Sequence, residues 1–345
     1  MTKQKQRIMA ITLIGVLLCI VSLLALHVGT IMIPIGGGIQ SILNGIGIPV
    51  NFTEPITAEQ EAVLWFIRMP RLIIGLLVGG ALALAGAVMQ GVFSNPLADP
   101  GIMGVSAGAS LGAVIAIALG VTSLSMFYMP AFAFVGAFVS VGITILLTWR
   151  NNKLDTTTLL LAGVAVSMLL GAFTSGILTM INEYRLREFL FWMVGGLDFR
   201  RWDHVLLAVG PIVTGSVILM MLGRHLNVLV LGDTEARALG LPVIAYRMVF
   251  LFLASVVTAT AVCVSGSIGF VGLVVPHIVR LLVGPDHRIL LPMAAVGGAL
   301  FLVFCDTLGR VIAQPVEIRV GIMTALLGAP YFLYLLHRLR SKGGA

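Results

Sequence analysis

Charge is nearly missing from this sequence. Only thirty-five Lys, Arg, Asp and Glu side chains occur in 345 residues, and none lies between Leu72 and Ala98 or between Pro100 and Trp149. A water-soluble core does not need such tracts, whereas a bilayer penalises most ionised side chains within it by several kcal/mol, at roughly 2.5–3.5 each on insertion scales. Cysteine is also scarce: Cys19, Cys263 and Cys305 all lie in apolar runs without ligand-like spacing, which reads as small hydrophobes and excludes a disulfide framework. No Walker motif occurs. Gly104-Val-Ser-Ala-Gly-Ala109 lacks the Gly-Lys-Ser/Thr ending and follows no strand. The chain is therefore expected to be no enzyme, with no catalytic residue, metal site or cofactor of its own, and any ATP that drives it is hydrolysed by another chain.

What the sequence has in abundance is apolar residues, 59%, and glycine, 40 residues. The fold class expected is all-α, a polytopic integral membrane protein forming one domain over residues 1–345. A crossing takes about 20 residues. Breaks at charge, glycine and proline then give ten transmembrane helices, near 8–30, 69–91, 102–119, 127–148, 157–180, 204–222, 244–262, 267–283, 289–305 and 319–337. The first run follows a basic head and is too long for a signal-peptide core, so it reads as retained. The division of 244–283 is the weakest, resting on Val264-Ser-Gly-Ser267 with Pro276 as an alternative kink.

With the N-terminus inside, thirteen Lys and Arg fall on the inner side, Arg150 and Lys153 among them, and eight on the outer. That bias satisfies the positive-inside rule and places both termini in the cytoplasm. The formal charge of +7 is thus a matter for anionic headgroups rather than nucleic acid. Small residues recur every fourth position: Gly75, Gly79, Ala83, Ala87 and Gly91 in the second span, Gly104, Gly108 and Gly112 in the third, and Gly163, Ser167, Gly171 and Ser175 in the fifth. Such strips let helix backbones approach closely in lipid.

Several polar segments stand out. After an outer loop carrying Glu54, Glu59 and Glu61, Arg68-Met-Pro-Arg71 is expected to open the second helix, with proline in its first turn. Two arginines there oppose the helix dipole and sit on the side where cations are depleted. With Arg310 they suit carboxylates of an extracytoplasmic protein; headgroup contact, or an internal pair with Asp306 or Glu317, suits them equally. Asn95-Pro-Leu-Ala-Asp-Pro100 reads as a rigid turn in which Asp99 accepts a local hydrogen bond. The inner connection, residues 223–243, contains a short helix capped by Asp233 or Thr234 and stopped by Gly240 and Pro242. It fits either a mechanical coupling element or a helix lying in the headgroup plane. His277 has no second ligand at metal spacing and reads as a structural hydrogen-bonding group. All acidic residues fall near predicted span ends, which disfavours, without removing, the alternative of an ion-coupled secondary transporter.

Arg68-Met-Pro-Arg71, Gly86-Ala-Val-Met-Gln90, Asn95 to Ala109, Ala236-Arg-Ala-Leu-Gly-Leu241, Gly269 to Arg280, Gly284-Pro-Asp-His-Arg288, Asp306-Thr-Leu-Gly-Arg310 and Gly328-Ala-Pro330 stand in an order that closely resembles the FecCD family of permeases. These belong to bacterial binding-protein-dependent ABC importers for iron-siderophores, haem and cobalamin. The resemblance implies a type II importer in the inner membrane: a second permease copy or homologue, two ATP-binding cassette ATPase subunits inside, and a substrate-binding protein outside. It also implies binding-protein docking at Arg68, Arg71 and Arg310, and ATPase coupling through Asp233, Glu235, Arg237, Leu239, Gly240 and Leu241. Met168, Ser175 and Met180 are candidate lining of the translocation path. The implied cargo is an iron chelate, ferric siderophore or haem, with cobalamin as the alternative. The iron remains coordinated by its chelator, so no permanent protein metal site is expected.

Overall fold

The computed structural model describes residues 3–51, 55–149 and 155–343; Glu54, Arg150 and Lys153 lie outside them. Among the described residues there is no strand. The helices in chain order are α1 (Lys3–His27), α2 (Ile35–Gly45), α3 (Ala58–Val63), α4 (Met69–Val92), α5 (Val105–Leu119), α6 (Tyr128–Thr148), α7 (Thr156–Leu178), α8 (Glu183–Met193), α9 (Trp202–Met221), α10 (Gly223–Leu229), α11 (Asp233–Ala238), α12 (Val243–Ser265), α13 (Val271–Val283), α14 (His287–Ile312) and α15 (Val320–Gly343). Each of the ten predicted spans coincides with one of them. Among the described residues, seven helical stretches are long and apolar enough to cross a membrane, and three shorter ones, Val105–Leu119, Val271–Val283 and Val320–Leu335, are apolar.

Helix α4 is the axis of the bundle. Every residue from Val78 to Val92 is buried, in contact with α14, α12, α13 and α9. Its small residues permit this. A β-carbon at Gly79 would lie 2.3 Å from the Gly298 carbonyl oxygen on α14, and one at Gly86 only 1.9 Å from that of Gly272 on α13. The backbones therefore touch, and dispersion between them replaces the hydrophobic force that lipid does not supply. The strip on α5 works the same way against α6, Gly108 meeting Gly136 and Gly112 meeting Phe132. On α7 only Gly163 packs, against the Ile102 carbonyl; a β-carbon at Gly171 would meet nothing within 4 Å.

Several boundaries differ from expectation for identifiable reasons. Arg68-Met-Pro-Arg71 does not open a helix: it lies within a continuous helical stretch, Ala58–Val92, whose Leu64–Arg68 turn is π-helical. Pro70 lacks the N–H that would bond four residues back, and a π turn at such a gap loosens the ladder without breaking it. Thr57 caps α3 with its side chain through a capping box with Gln60. Helix α1 stops at His27, short of the expected end near 30, and the chain adds the short α2, which hydropathy did not indicate. The division of 244–283 is real: α12 ends at Ser265, Gly266 takes φ +73, Phe270 takes φ +68, and α13 starts at Val271 with Pro276 inside it. Asp99 accepts from the Gly101 N–H at 2.7 Å, as the turn reading required. Among the described residues the His277 Nδ1 has no hydrogen-bond partner, and its ring sits 6.3 Å from that of Tyr331.

Candidate functional site

The polar side chains gather at the two ends of the bundle. At one end, the α3–α4 stretch, α14, the α8–α9 loop and the segment before α15 bring together Arg68, Arg71, Arg310, Asp198, Asp306 and Glu317. Arg71 is the hub. Its Nη2 is 2.8 Å from Asp306 Oδ1 and 3.1 Å from Asp198 Oδ1, and its Nη1 is 2.8 Å from Glu317 Oε2. Arg310 stands 3.5 Å from Asp306 through Nε and donates from Nη2 to the Ala25 carbonyl at 2.9 Å. Arg68 donates to the carbonyls of Leu26, at 2.7 Å, and Ile31.

These last bonds explain where α1 ends. The final carbonyls of a helix have no partner within it and form the negative end of its dipole. Arg68 and Arg310 supply both the donors and the charge. The dipole argument applied to Arg68 and Arg71 as an N-terminal pair therefore does not hold, because the helix continues through them and Arg68 serves the C-terminus of a different helix. All three arginines are buried, and the internal pairs of Arg71 with Asp306 and Glu317, left open on sequence grounds, are formed. Asp198 was missed: it lies in a Gly-Gly-Leu-Asp loop, and its partner comes from a helix more than a hundred residues earlier. Arg319 extends the cluster, with Nε 3.8 Å from Asp198 and its guanidinium 4.5 Å from the Phe191 ring centre.

At the opposite end, α10 and α11 form a bracket on the bundle. Asn227 of α10 donates to Asp286 at 2.8 Å and accepts from the His287 N–H at 2.9 Å, joining the bracket to the start of α14. His225 stacks on Tyr246 with ring centres 4.5 Å apart. Arg288, bonded to both Asp286 oxygens, holds that carboxylate well below its ordinary range. Asp233 is not a helix cap as expected. Gly232 occupies the cap position, and the Asp233 side chain accepts from Arg247 at 2.6 Å instead, because a buried guanidinium on α12 lies within reach. Ala236 and Leu241 are buried and anchor α11, while Glu235, Arg237, Leu239 and Gly240 face outward, Leu239 at 66% exposure. Gly240, at φ +81, ends this turn as expected. The six positions expected to couple thus divide into buried or paired ones, Asp233 and Leu241, and four that face outward.

Met168 and Ser175 are exposed on α7, Met168 at 73%, and Met180, 86% exposed, stands two residues beyond the end of that helix. Among the described residues no group of three or more His, Cys, Asp or Glu side chains is arranged to hold a metal ion.

The model of the FecCD transport family matches residues 17–338. A cobalamin import system permease of Halobacterium salinarum is 47% identical over 289 residues, which cover 84% of this chain and 76% of the relative. A hemin transport system permease of Yersinia pestis is 43% identical, with 83% and 87% covered. Among solved structures, a metal-chelate type ABC transporter in an inward-facing conformation superposes with a TM-score of 0.83 at 32% identity, covering 94% of this chain and 97% of that one.

Proposed function

The chain belongs to the FecCD transport family, and from that premise we propose that it is one half of a conduit through which an ABC importer carries a bulky metal chelate into the cell. As a permease of this family it is a multi-pass protein of the inner membrane, and permease subunits are not themselves enzymes. Its cargo is read as an iron chelate, ferric siderophore or haem, which the hemin relative supports. The second reading, cobalamin, is favoured by the Halobacterium relative. The observation that carries the conduit reading is the α7 face. An apolar, glycine-bearing helix surface with nothing of its own chain against it suits a second permease copy, with Met168, Ser175 and Met180 between the two.

The partners divide by end. Residues 1–345 act as a single permease domain of ten crossings with both termini cytoplasmic, and 223–243 is the coupling segment on which two ATPase subunits bear. Asp233 and Leu241 hold α11 in place; Glu235, Arg237, Leu239 and Gly240 meet the ATPase. An extracytoplasmic binding protein docks over Arg68, Arg71 and Arg310. Since those guanidinium groups are buried and internally paired, docking acts through the exchange of an internal carboxylate, Glu317 being the most exposed, for one of the partner's. The test is reconstitution of the permease with its ATPase and binding protein in vesicles, followed by uptake of ferric siderophore, haem and cobalamin. ATP-dependent accumulation of one of them is expected. Uptake that persists without the ATPase and collapses with an ion gradient would overturn the proposal.

A further inference from the structure

Three helices leave a groove that the transport reading does not use. Helices α1, α13 and α14 enclose a cavity of about 380 Å³, open to the side and walled by apolar residues that include Leu17, Val21, Val279, Leu282, Leu300 and Phe301. A continuous slot of this kind along a helix bundle takes an extended hydrocarbon chain. Its occupant is indicated by what stands below it. Arg7, half-buried, leans across the end of α13, its Nη2 3.3 Å from the point where a β-carbon of Gly284 would lie. Lys5 stands exposed on the preceding half-turn of α1. Among the described residues neither side chain has an acidic partner.

The spacing connects the two features. Ile14, the first groove residue of α1, lies seven residues beyond Arg7, roughly 10 Å along the helix axis. That is the separation between a lipid phosphate and the acyl carbons below its glycerol. Long basic side chains near a helix end reach to the headgroup level while their stems lie along apolar surface. We propose that this groove is a binding site for an anionic phospholipid, with one acyl chain between α1, α13 and α14 and the phosphate against Arg7 and Lys5. Helix α1 is, with α7, one of the two least embedded of the long helices, and its C-terminal carbonyls are held by arginines at one end. A lipid across the α1–α13 gap fastens it at the other.

The test uses the transporter assembled with its partner subunits, delipidated in detergent and titrated with dioleoylphosphatidylglycerol or dioleoylphosphatidylcholine, with bound lipid counted by native mass spectrometry. Phosphatidylglycerol is expected to be retained at least about fivefold better, since one basic side chain near a lipid surface gives about that factor. The Lys5→Ala/Arg7→Ala double variant brings the ratio close to one, and Arg7→Lys preserves it. Leu17→Trp, which fills the groove from its open side, lowers retention of both lipids while elution volume and thermal transition stay unchanged. Equal retention of the two lipids by the unsubstituted protein would overturn the site. So would a ratio unaffected by the double variant, retention unaffected by Leu17→Trp, or disulfide-linked permease pairs formed by Leu17→Cys, which would show a second copy on this face.

Discussion

Arg71 and Asp306, 235 residues apart in sequence, meet at 2.8 Å between α4 and α14 with both side chains nearly shut off from solvent. Helix α14 makes this contact more than a local one. Nineteen residues earlier, roughly 28 Å along the same helix, the His287 N–H donates to Asn227 of the α10 bracket. One continuous helix, with Pro292 inside it, therefore touches the arginine cluster at one end and the α10–α11 bracket at the other. Movement of α14 relative to α4 has to slide Gly298 past Gly79, where the backbones are already in contact.

Asp306→Asn is expected to destabilise the protein severely, because Arg310 loses the carboxylate beside it and Arg71 keeps only Asp198 and the more exposed Glu317, while both arginines remain buried. Breaking a buried pair from one side costs about 3–5 kcal/mol. Glu317→Gln removes a carboxylate that is 37% exposed, against 6% for Asp306, and is expected to cost less than about 1 kcal/mol. Thermal unfolding in detergent separates the two, and similar losses would show that Asp306 is not the main carboxylate of the cluster.

Gly86→Ala places a methyl group 1.9 Å from the Gly272 carbonyl oxygen, so backbone has to move against backbone. Overpacking of this kind costs about 1–3 kcal/mol, and more where no flexible side chain can yield. Expression and unfolding temperature are both expected to fall. A protein that accepts Gly86→Ala without loss would show that α4 and α13 are not in contact.

Much of the fold was legible in the sequence, since hydropathy reports where helices run. The ten segments and the α12–α13 break follow from apolar runs divided by glycine and charge. What hydropathy does not carry is which end of which helix a side chain serves. Arg68 lies within one helical stretch and caps another in space, donating to the Leu26 carbonyl of α1 and to that of Ile31 just beyond it. Asp233 has the composition of a cap, yet Arg247, fourteen residues on and buried on α12, takes its carboxylate. The π turn before Pro70 and the role of Asp198 depend likewise on contacts that local patterns do not encode. The motif resemblance named the arginine cluster and α11 as functional, and the geometry adds how each is held.

On α11, Leu239→Ala is expected to weaken association with the ATPase subunits while leaving the permease stable. Its side chain is exposed in the free chain, and covering a leucine stabilises a complex by about 1.5–3 kcal/mol. Ala236→Glu is expected to unfold the bracket itself, because Ala236 is wholly buried. Co-purification with the ATPase, read beside the unfolding temperature of the permease alone, tells lost contact from lost structure.

Asp286 gives a pH signature. Its carboxylate caps α14 through the Arg288 N–H and is held below its ordinary range by the Arg288 guanidinium. A carboxylate depressed in the folded state contributes stability that is present above its unfolded value, about pH 4, and is lost as pH falls toward the folded one. Asp286→Ala is expected to cost about 1 kcal/mol at neutral pH through the lost cap. The gap from the unsubstituted protein should close below about pH 4. A gap that widens with acidification would contradict the assignment.

The open face of α7 separates packing within one chain from packing between chains. Gly171 sits on the same small-residue strip as Gly163, but only Gly163 has a neighbour: a β-carbon there would lie 2.1 Å from the Ile102 carbonyl oxygen, against nothing within 4 Å at Gly171. Gly163→Leu is therefore expected to destabilise the isolated chain. Gly171→Leu should leave its unfolding temperature unchanged, because the side chain points into open space. If a second permease copy packs there, the same substitution intrudes where two backbones approach, and small-residue helix contacts do not tolerate bulk. Light scattering should then report loss of the paired permease, and vesicle uptake should fall with it. Intact pairing and uptake in Gly171→Leu would place the second copy against another face and remove Met168, Ser175 and Met180 from the path.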